Sequence, residues 1–240
     1  MTRTFVVIAC LLTTLGLLAK PTAPPPVHTI AAAFTRTVTR GGVAEAPIHG
    51  TLYFQSPRVI AFKVTVPISQ WLVYQGDSLT IYYPKERTAL HMQNQAPIMA
   101  PIFQVLSKTL PDDLGLPKAG FTLARKDVKK GVLYTYWTPP AKAAKAIGQT
   151  IIGLAHDRLV SVEVHDPKGN LISRVEYANF SDFNGTAFPL EMTVTRLQGK
   201  ATVVEKTSYT KPVFNQPLPA EVANFHVPAG VPIKELGGGK

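Results

Sequence analysis

The sequence predicts a mainly β protein, an open or half-closed antiparallel β-barrel with a short N-terminal helix and a helical lid over an apolar concave face. Three observations lead there. Short runs rich in β-branched and aromatic residues recur between turn residues from Gly50 to Thr210, apolar and polar side chains alternate within them, and few segments carry helical spacing. A barrel of about eight strands is filled by its own side chains, so roughly ten or eleven strands with so little helix leave an apolar face to be covered.

At the N-terminus Arg3 precedes an uncharged run from Phe5 to Leu18 that ends at Lys20 and Pro21. At about 14 residues the run is shorter than the ~20 a bilayer span needs, and it reads as the apolar region of a secretory signal peptide over residues 1–19. A retained N-terminal anchor is the alternative. The single cysteine, Cys10, lies inside this run, so the exported chain has no thiol for a disulfide, a zinc site or a nucleophile. Val7-Ile8-Ala9-Cys10 has the form of a lipobox, but the apolar stretch before it is too short to engage the export machinery. Pro21, Pro24, Pro25 and Pro26 make residues 20–27 a tether, residues 28–236 form a single domain, and residues 237–240 are a flexible tail.

Within the domain, Ile30, Phe34 and Val38 recur at every fourth position and predict a helix over Val27–Val38, ended by Gly41-Gly42. Strands follow at Gly50–Gln55, Val59–Val66, Gln70–Tyr74 and Leu79–Tyr83, with breaks at Ser56-Pro57, Pro67, Gly76-Asp77 and Pro84-Lys85. Ile60, Phe62, Val64 and Val66 fall on one face of the second strand and Ala61, Lys63 and Thr65 on the other. From Gln95 to Pro117 the pattern changes: Ile98, Ile102, Leu106 and Leu110 recur every fourth position beside Met99 and Phe103, which predicts one or two short amphipathic lid helices. Strands resume at Phe121–Arg125, Val132–Trp137, Thr150–Ala155, Leu159–His165, Leu171–Phe180, Phe188–Leu197 and Ala201–Thr210. Their short turns imply an antiparallel meander.

Composition narrows the function. The chain is 45% hydrophobic but only 17% charged, below the roughly 25% charged residues usual for globular domains. Its formal charge is +10, or +9 once residues 1–19 with Arg3 are removed, yet the basic residues are scattered rather than gathered in the dense tract of a nucleic-acid binder. Anionic lipid headgroups or envelope glycolipids are the fitting partners, with residues 126–130 and 142–145 as candidate contacts. The six histidines show no metal-binding spacing, and His156-Asp157 and His165-Asp166 sit at strand ends where Asp favours turns. Gly148–Gly153 lacks the central serine of a nucleophile elbow. No nucleophile, base and orienting group can be assembled, so the expectation is a non-enzyme without cofactor or metal.

The segments GTLYFQSPRVIAFKVTVP from Gly50 to Pro67 and QWLVYQGDSLTIYYP from Gln70 to Pro84 resemble the periplasmic outer-membrane lipoprotein carrier family (LolA-like). Phe34-Thr35-Arg36 and a closing-strand element from Asn224 to Val231 add to the resemblance, which follows the order of elements over nearly the whole domain. The resemblance implies a monomeric, periplasmic carrier that holds the acyl chains of lipoproteins, or another lipid, between an inner-membrane donor and an outer-membrane acceptor. By position it implies a cavity lined by Leu52, Phe54, Ile60, Phe62, Val64, Trp71, Val73, Leu79 and Ile81, with lid residues Ile98, Met99, Ile102, Phe103 and Leu106. Two departures stand out. Ser56 occupies the place of an arginine that closes the lid in the family, with Arg58 two residues on, and a Pro-rich tether replaces the first half of the N-terminal helix. A lipid-sensing or structural envelope module of the same fold is the alternative reading.

Overall fold

The computed structural model describes residues 27–57, 59–93, 101–106, 113–183, 186–199 and 201–236. Its strands are β1 (Thr29–Arg40), β2 (Val43–Ala44), β3 (Ile48–Gln55), β4 (Val59–Val66), β5 (Gln70–Gln75), β6 (Ser78–Tyr83) and β7 (Thr88–Gln93), then helix α1 (Pro101–Leu106). The second half adds β8 (Thr122–Lys129), β9 (Val132–Thr138), β10 (Gln149–Ala155), β11 (Arg158–His165), β12 (Leu171–Phe183), β13 (Thr186–Gln198) and β14 (Ala201–Phe214). Helix α2 (Ala220–Ala223) and β15 (Ile233–Glu235) close the chain.

All strands join one sheet in the order β15-β7-β6-β5-β4-β3-β1-β14-β13-β12-β11-β10-β9-β8, with β2 paired to β1. Two meanders, β3–β7 and β8–β14, are therefore joined through β1, and the end strands β15 and β8 do not pair. The sheet is open, as expected, and its neighbours are antiparallel apart from β15, which lies parallel to β7.

The expected N-terminal helix is a strand. Spacing of four is an even number, so Ile30, Phe34 and Val38 share a face in a strand as well as in a helix. Pairing then decides in favour of the strand, because β1 bonds β3 on one side and β14 on the other. β-Branched Thr29, Thr35, Thr37, Val38 and Thr39 favour the same outcome. Gly41 and Gly42, read as a helix stop, make the hairpin turn to β2 with φ of 57° and 86°. The closing strand assigned to Asn224–Val231 is also displaced: α2 and a turn at Pro228–Val231 precede the actual strand, β15.

The expected lid is likewise corrected. Among the described residues of that segment there is one helix of 6 residues, α1, and its Ile102 is 1% exposed within the main core. The helix is an inserted part of the core rather than a cover laid over it. Ile98 and Met99 lie outside the described residues, as do the side chains of Phe103 and Leu106 and the whole of residues 1–26, Arg58 and 237–240.

The main core fills the concave side of the sheet, where Leu52, Ile60, Ile152 and Phe188 are fully buried. Aromatic rings link the two meanders through β1: Phe62 meets Phe34 edge to face at 5.8 Å, Phe34 meets Tyr209 at 6.5 Å, and Tyr209 meets Phe188 edge to face at 5.4 Å. A smaller cluster lies on the other face of the first meander, where Trp71, Val73 and Ala61 pack under Val222 of α2, with Leu218 and Phe225 beside them.

Gly50 permits the close approach of β3 to the backbone of β4 and to the Phe34 ring of β1. A Cβ there would run into the Lys63 carbonyl oxygen and stand 2.9 Å from the Phe34 ring. Gly50→Ala should therefore destabilise the fold by about 1–3 kcal/mol, measured as a lowered midpoint in denaturant titration; an unchanged midpoint would contradict that close approach.

Candidate functional site

The concave face retains a cavity of about 180 Å³ between β1, β3, β4, β5, β13, β14 and the start of α1. Its apolar lining residues include Phe34, Phe62, Val64, Leu72, Met192 and Val194, and its polar ones are Arg36, Gln70, Tyr74, Arg196 and Glu205. Register explains the grouping. Phe34 pairs with Gly50 on one side and Tyr209 on the other, and Arg36 pairs with Ile48 and Thr207, so alternate residues of each strand form rows across the concave face.

The polar end is built from two arginines. Arg36 Nε donates to Thr207 Oγ1 at 3.2 Å, and its guanidinium lies 5.7 Å from the Phe34 ring centre and 5.8 Å from that of Phe62. Arg196 Nη1 donates to Glu205 Oε1 at 2.9 Å. Tyr74 lies within the fields of both charges: burial raises its phenol above the ordinary value, while Arg36 and Arg196 act to lower it.

Helix α1 limits the space. Pro101 contributes to the cavity wall, Ile102 is buried in the core, and Val105 packs against it. The Tyr177 hydroxyl holds the helix, its single proton shared between the Pro101 carbonyl at 2.8 Å and Gln104 Oε1 at 2.9 Å. A volume of about 180 Å³ slightly exceeds the ~150 Å³ that suffices for benzene and falls below the ~300–1,000 Å³ of usual ligand sites. A long acyl chain therefore needs room that α1 now occupies.

The residues expected to line a cavity divide into groups. Phe62 and Val64 line it directly, whereas Leu52, Phe54 and Ile60 are packed into the core around it. Leu79 and Ile81 share the concave side, since they pair with Tyr74 and Leu72. Trp71 and Val73 do not: they alternate with Leu72 and Tyr74 on β5 and belong to the cluster on the opposite face. Sequence reading missed Arg36, Gln70, Leu72, Tyr74, Arg196 and Glu205. On β5 both faces are apolar or aromatic, so alternation alone does not tell which one is concave. Met192 and Val194 were also missing from the expected lining, because their position across from Phe62 depends on the pairing of β1 with β14.

The His-Asp pairs serve turns. The Asp166 carboxylate accepts from Asn170 Nδ2 and from the backbone amides of Asn170 and Lys168, and these bonds hold its carboxyl below the ordinary range. His156 and Asp157 occupy a turn with φ of 50° and 57°. No cluster of three or more metal-binding side chains occurs among the described residues, and no described helix is long and apolar enough to cross a membrane.

Residues 26–187 match the family described as outer membrane lipoprotein carrier protein LolA. The chain belongs to the LolA family. Proteins of this family are periplasmic carrier or binding proteins. Solved structures share the LolA-type sheet at low identity. A LolA superfamily protein from Nitrosomonas europaea superposes with a TM-score of 0.56 at 12% identity, over 83% of this chain and 91% of that one. A domain assigned to outer membrane lipoprotein sorting, from Vibrio parahaemolyticus, gives 0.58 at 15% identity, over 81% and 88%. A DUF1329 family protein from Desulfovibrio piger gives 0.55 at 13% identity, over 81% and 89%. No curated protein matches the sequence.

Two buried phenols make an alkaline limit to stability. Burial pushes both Tyr177 and Tyr209 well above the ordinary value of 10.0. Above about pH 10 the unfolded chain releases these protons while the folded one keeps them, so stability is full below that pH and falls above it. Urea midpoints compared at about pH 8 and about pH 11 should show the fall, and Tyr177→Phe should reduce its steepness; an identical slope would exclude Tyr177 as a contributor.

Proposed function

We propose that this protein is a periplasmic carrier that takes acyl chains of lipoproteins, or of related lipids, onto its concave face and passes them between membranes. It acts by binding and not by catalysis. The observation that carries the reading is the apolar cavity under α1, in a chain of the LolA family.

The energetics favour displacement of the helix by cargo. Each buried methylene contributes about 0.8 kcal/mol, so a fully enclosed 16-carbon chain gains roughly 12 kcal/mol before costs. Exposing an isoleucine such as Ile102 loses about 1.5–3 kcal/mol, and releasing the Tyr177 bonds about 1 kcal/mol more. Cargo outweighs the plug, and when cargo leaves the plug returns.

The monomer works between a donor at the inner membrane and an acceptor at the outer membrane, and touches anionic headgroups in passing. The hairpin of β8 and β9 is suited to that contact. It lies at the open edge of the sheet, carries Arg125, Lys126, Lys129 and Lys130 against Asp127, and exposes Val128 at 67%. A groove of about 730 Å³ runs beside it, with Val132, Tyr134, Tyr136 and Ile151 in its wall.

A test follows from the competition between plug and cargo. Ile102→Ala weakens the plug without adding charge, so it should lower the melting temperature yet tighten binding of a fluorescent acyl probe, by about tenfold for each 1.4 kcal/mol of lost plugging. A variant that melts lower and binds the probe less well would mean that α1 supports the site and does not compete for it. Probe binding absent from the delipidated full chain would sink the carrier reading itself.

A further inference from the structure

We propose that the cavity is selective for an anionic amphiphile, a long apolar chain ending in a carboxylate or phosphate, with Arg36 and Arg196 as its headgroup receptor. The inference rests on the acyl-binding reading and narrows its cargo to lipids whose chain carries an anionic head.

The charges around the cavity do not balance. Its charged lining residues are Arg36, Arg196 and Glu205, two cations against one anion. Glu205 is engaged by Arg196 at 2.9 Å. Arg36, half-buried on the concave side of β1, bonds only the neutral Thr207 hydroxyl, and among the described residues no carboxylate stands within ion-pair distance of it. A guanidinium held against the Phe34 and Phe62 rings has given up part of its hydration, and a partly desolvated cation gains most from a direct anionic partner.

The position matters as much as the charge. Arg36 follows Phe34 on the same face of β1, so the cation stands where the apolar wall ends. Arg196 lies at the same end and is 47% exposed, which places this end of the cavity towards solvent. Tyr74, kept as a neutral phenol by burial, supplies a hydroxyl donor within the fields of both arginines. Planar guanidinium forks fit the paired oxygens of a carboxylate or phosphate. A neutral ester or glyceride in the same cavity would leave the surplus cation unpaired.

The test compares dodecanoate, dodecyl phosphate and dodecanol, which share a chain and differ in the head, by displacement of a fluorescent acyl probe from delipidated full-length protein. Both anions should bind at least about tenfold more tightly than the alcohol. Arg36→Gln should bring the ratio close to one, and Arg36→Lys should retain part of it. Should Arg36→Gln not fold, Arg196→Gln reads the same ratio at a more exposed position. Equal affinity for acid and alcohol in the wild type, or a ratio retained in the folded Gln variant, overturns the proposal while leaving acyl binding intact. Competition by inorganic phosphate alone, at the concentrations where dodecyl phosphate acts, would also overturn it by showing a phosphate site that needs no chain. Binding of none of the three would remove the carrier reading as well.

Discussion

Everything on the concave face depends on β1 being paired along both edges. The strand sits between β3 and β14, and Ile30, Ala31 and residues 33–36 are each fixed in register against two partners more than a meander apart in sequence. A slip by one residue would turn Phe34 out and Thr35 in, and would move every row that crosses the sheet. The site inherits its order from this constraint. Phe34 lies between Gly50 and Tyr209, and Arg36 between Ile48 and Thr207, so apolar wall and cationic end are successive steps along one strand.

The same strand shows what sequence patterns can and cannot decide. Alternation marked both Val59–Val66 and β11 as strands but did not sort their faces cleanly: Ala61 is packed in the cluster on the opposite face and Val66 is 48% exposed, while an irregular register beside Ser161 puts Leu159 into the main core together with Val162. In β1 the apolar residues at 30, 34 and 38 satisfy both periods, and the choice fell to long-range pairing that no local window contains. Strand β5 failed differently. Trp71 and Val73 are covered by α2 and Phe225, so the strand is buried on both faces and loses the polar set that would mark its outer side. The spacing around Ile102 did indicate a helix, yet an apolar stripe is the same whether it faces core or cargo, and its place inside the core came from contacts such as that of Tyr177 with Pro101. Arg36 and Arg196 looked like scattered surface charge because 160 residues separate them along the chain and three paired strands bring them together.

An open sheet must also remain soluble while empty. A broad apolar concavity facing water would invite self-association, and here the inserted helix and its buried isoleucine remove most of that surface. The sheet edge poses a second hazard, since among the described residues β8 ends the sheet with no strand beyond it. Alternating charges answer it: Arg125, Lys126, Asp127 and Lys129 occupy four of the strand's eight positions, and Asp127 is paired with Lys129 at 3.0 Å. A long neutral strand could pair there only by stripping water from these groups.

The plug bears on release as much as on solubility. An acyl chain bound with the whole of its roughly 12 kcal/mol would have a dissociation constant near 1 nM, and its departure would be slow. A helix that must be displaced by about 3 kcal/mol weakens this by about two powers of ten. In the proposed cycle the helix then closes behind the departing chain, and the protein supplies part of the work of release from its own core packing. The margin also limits how firmly the helix can be held. Were α1 anchored much more firmly, short chains would be excluded altogether. Were it released from Ile102 and the Tyr177 contacts, the empty concave face would stand open to water. A short helix anchored by these contacts lies between the limits.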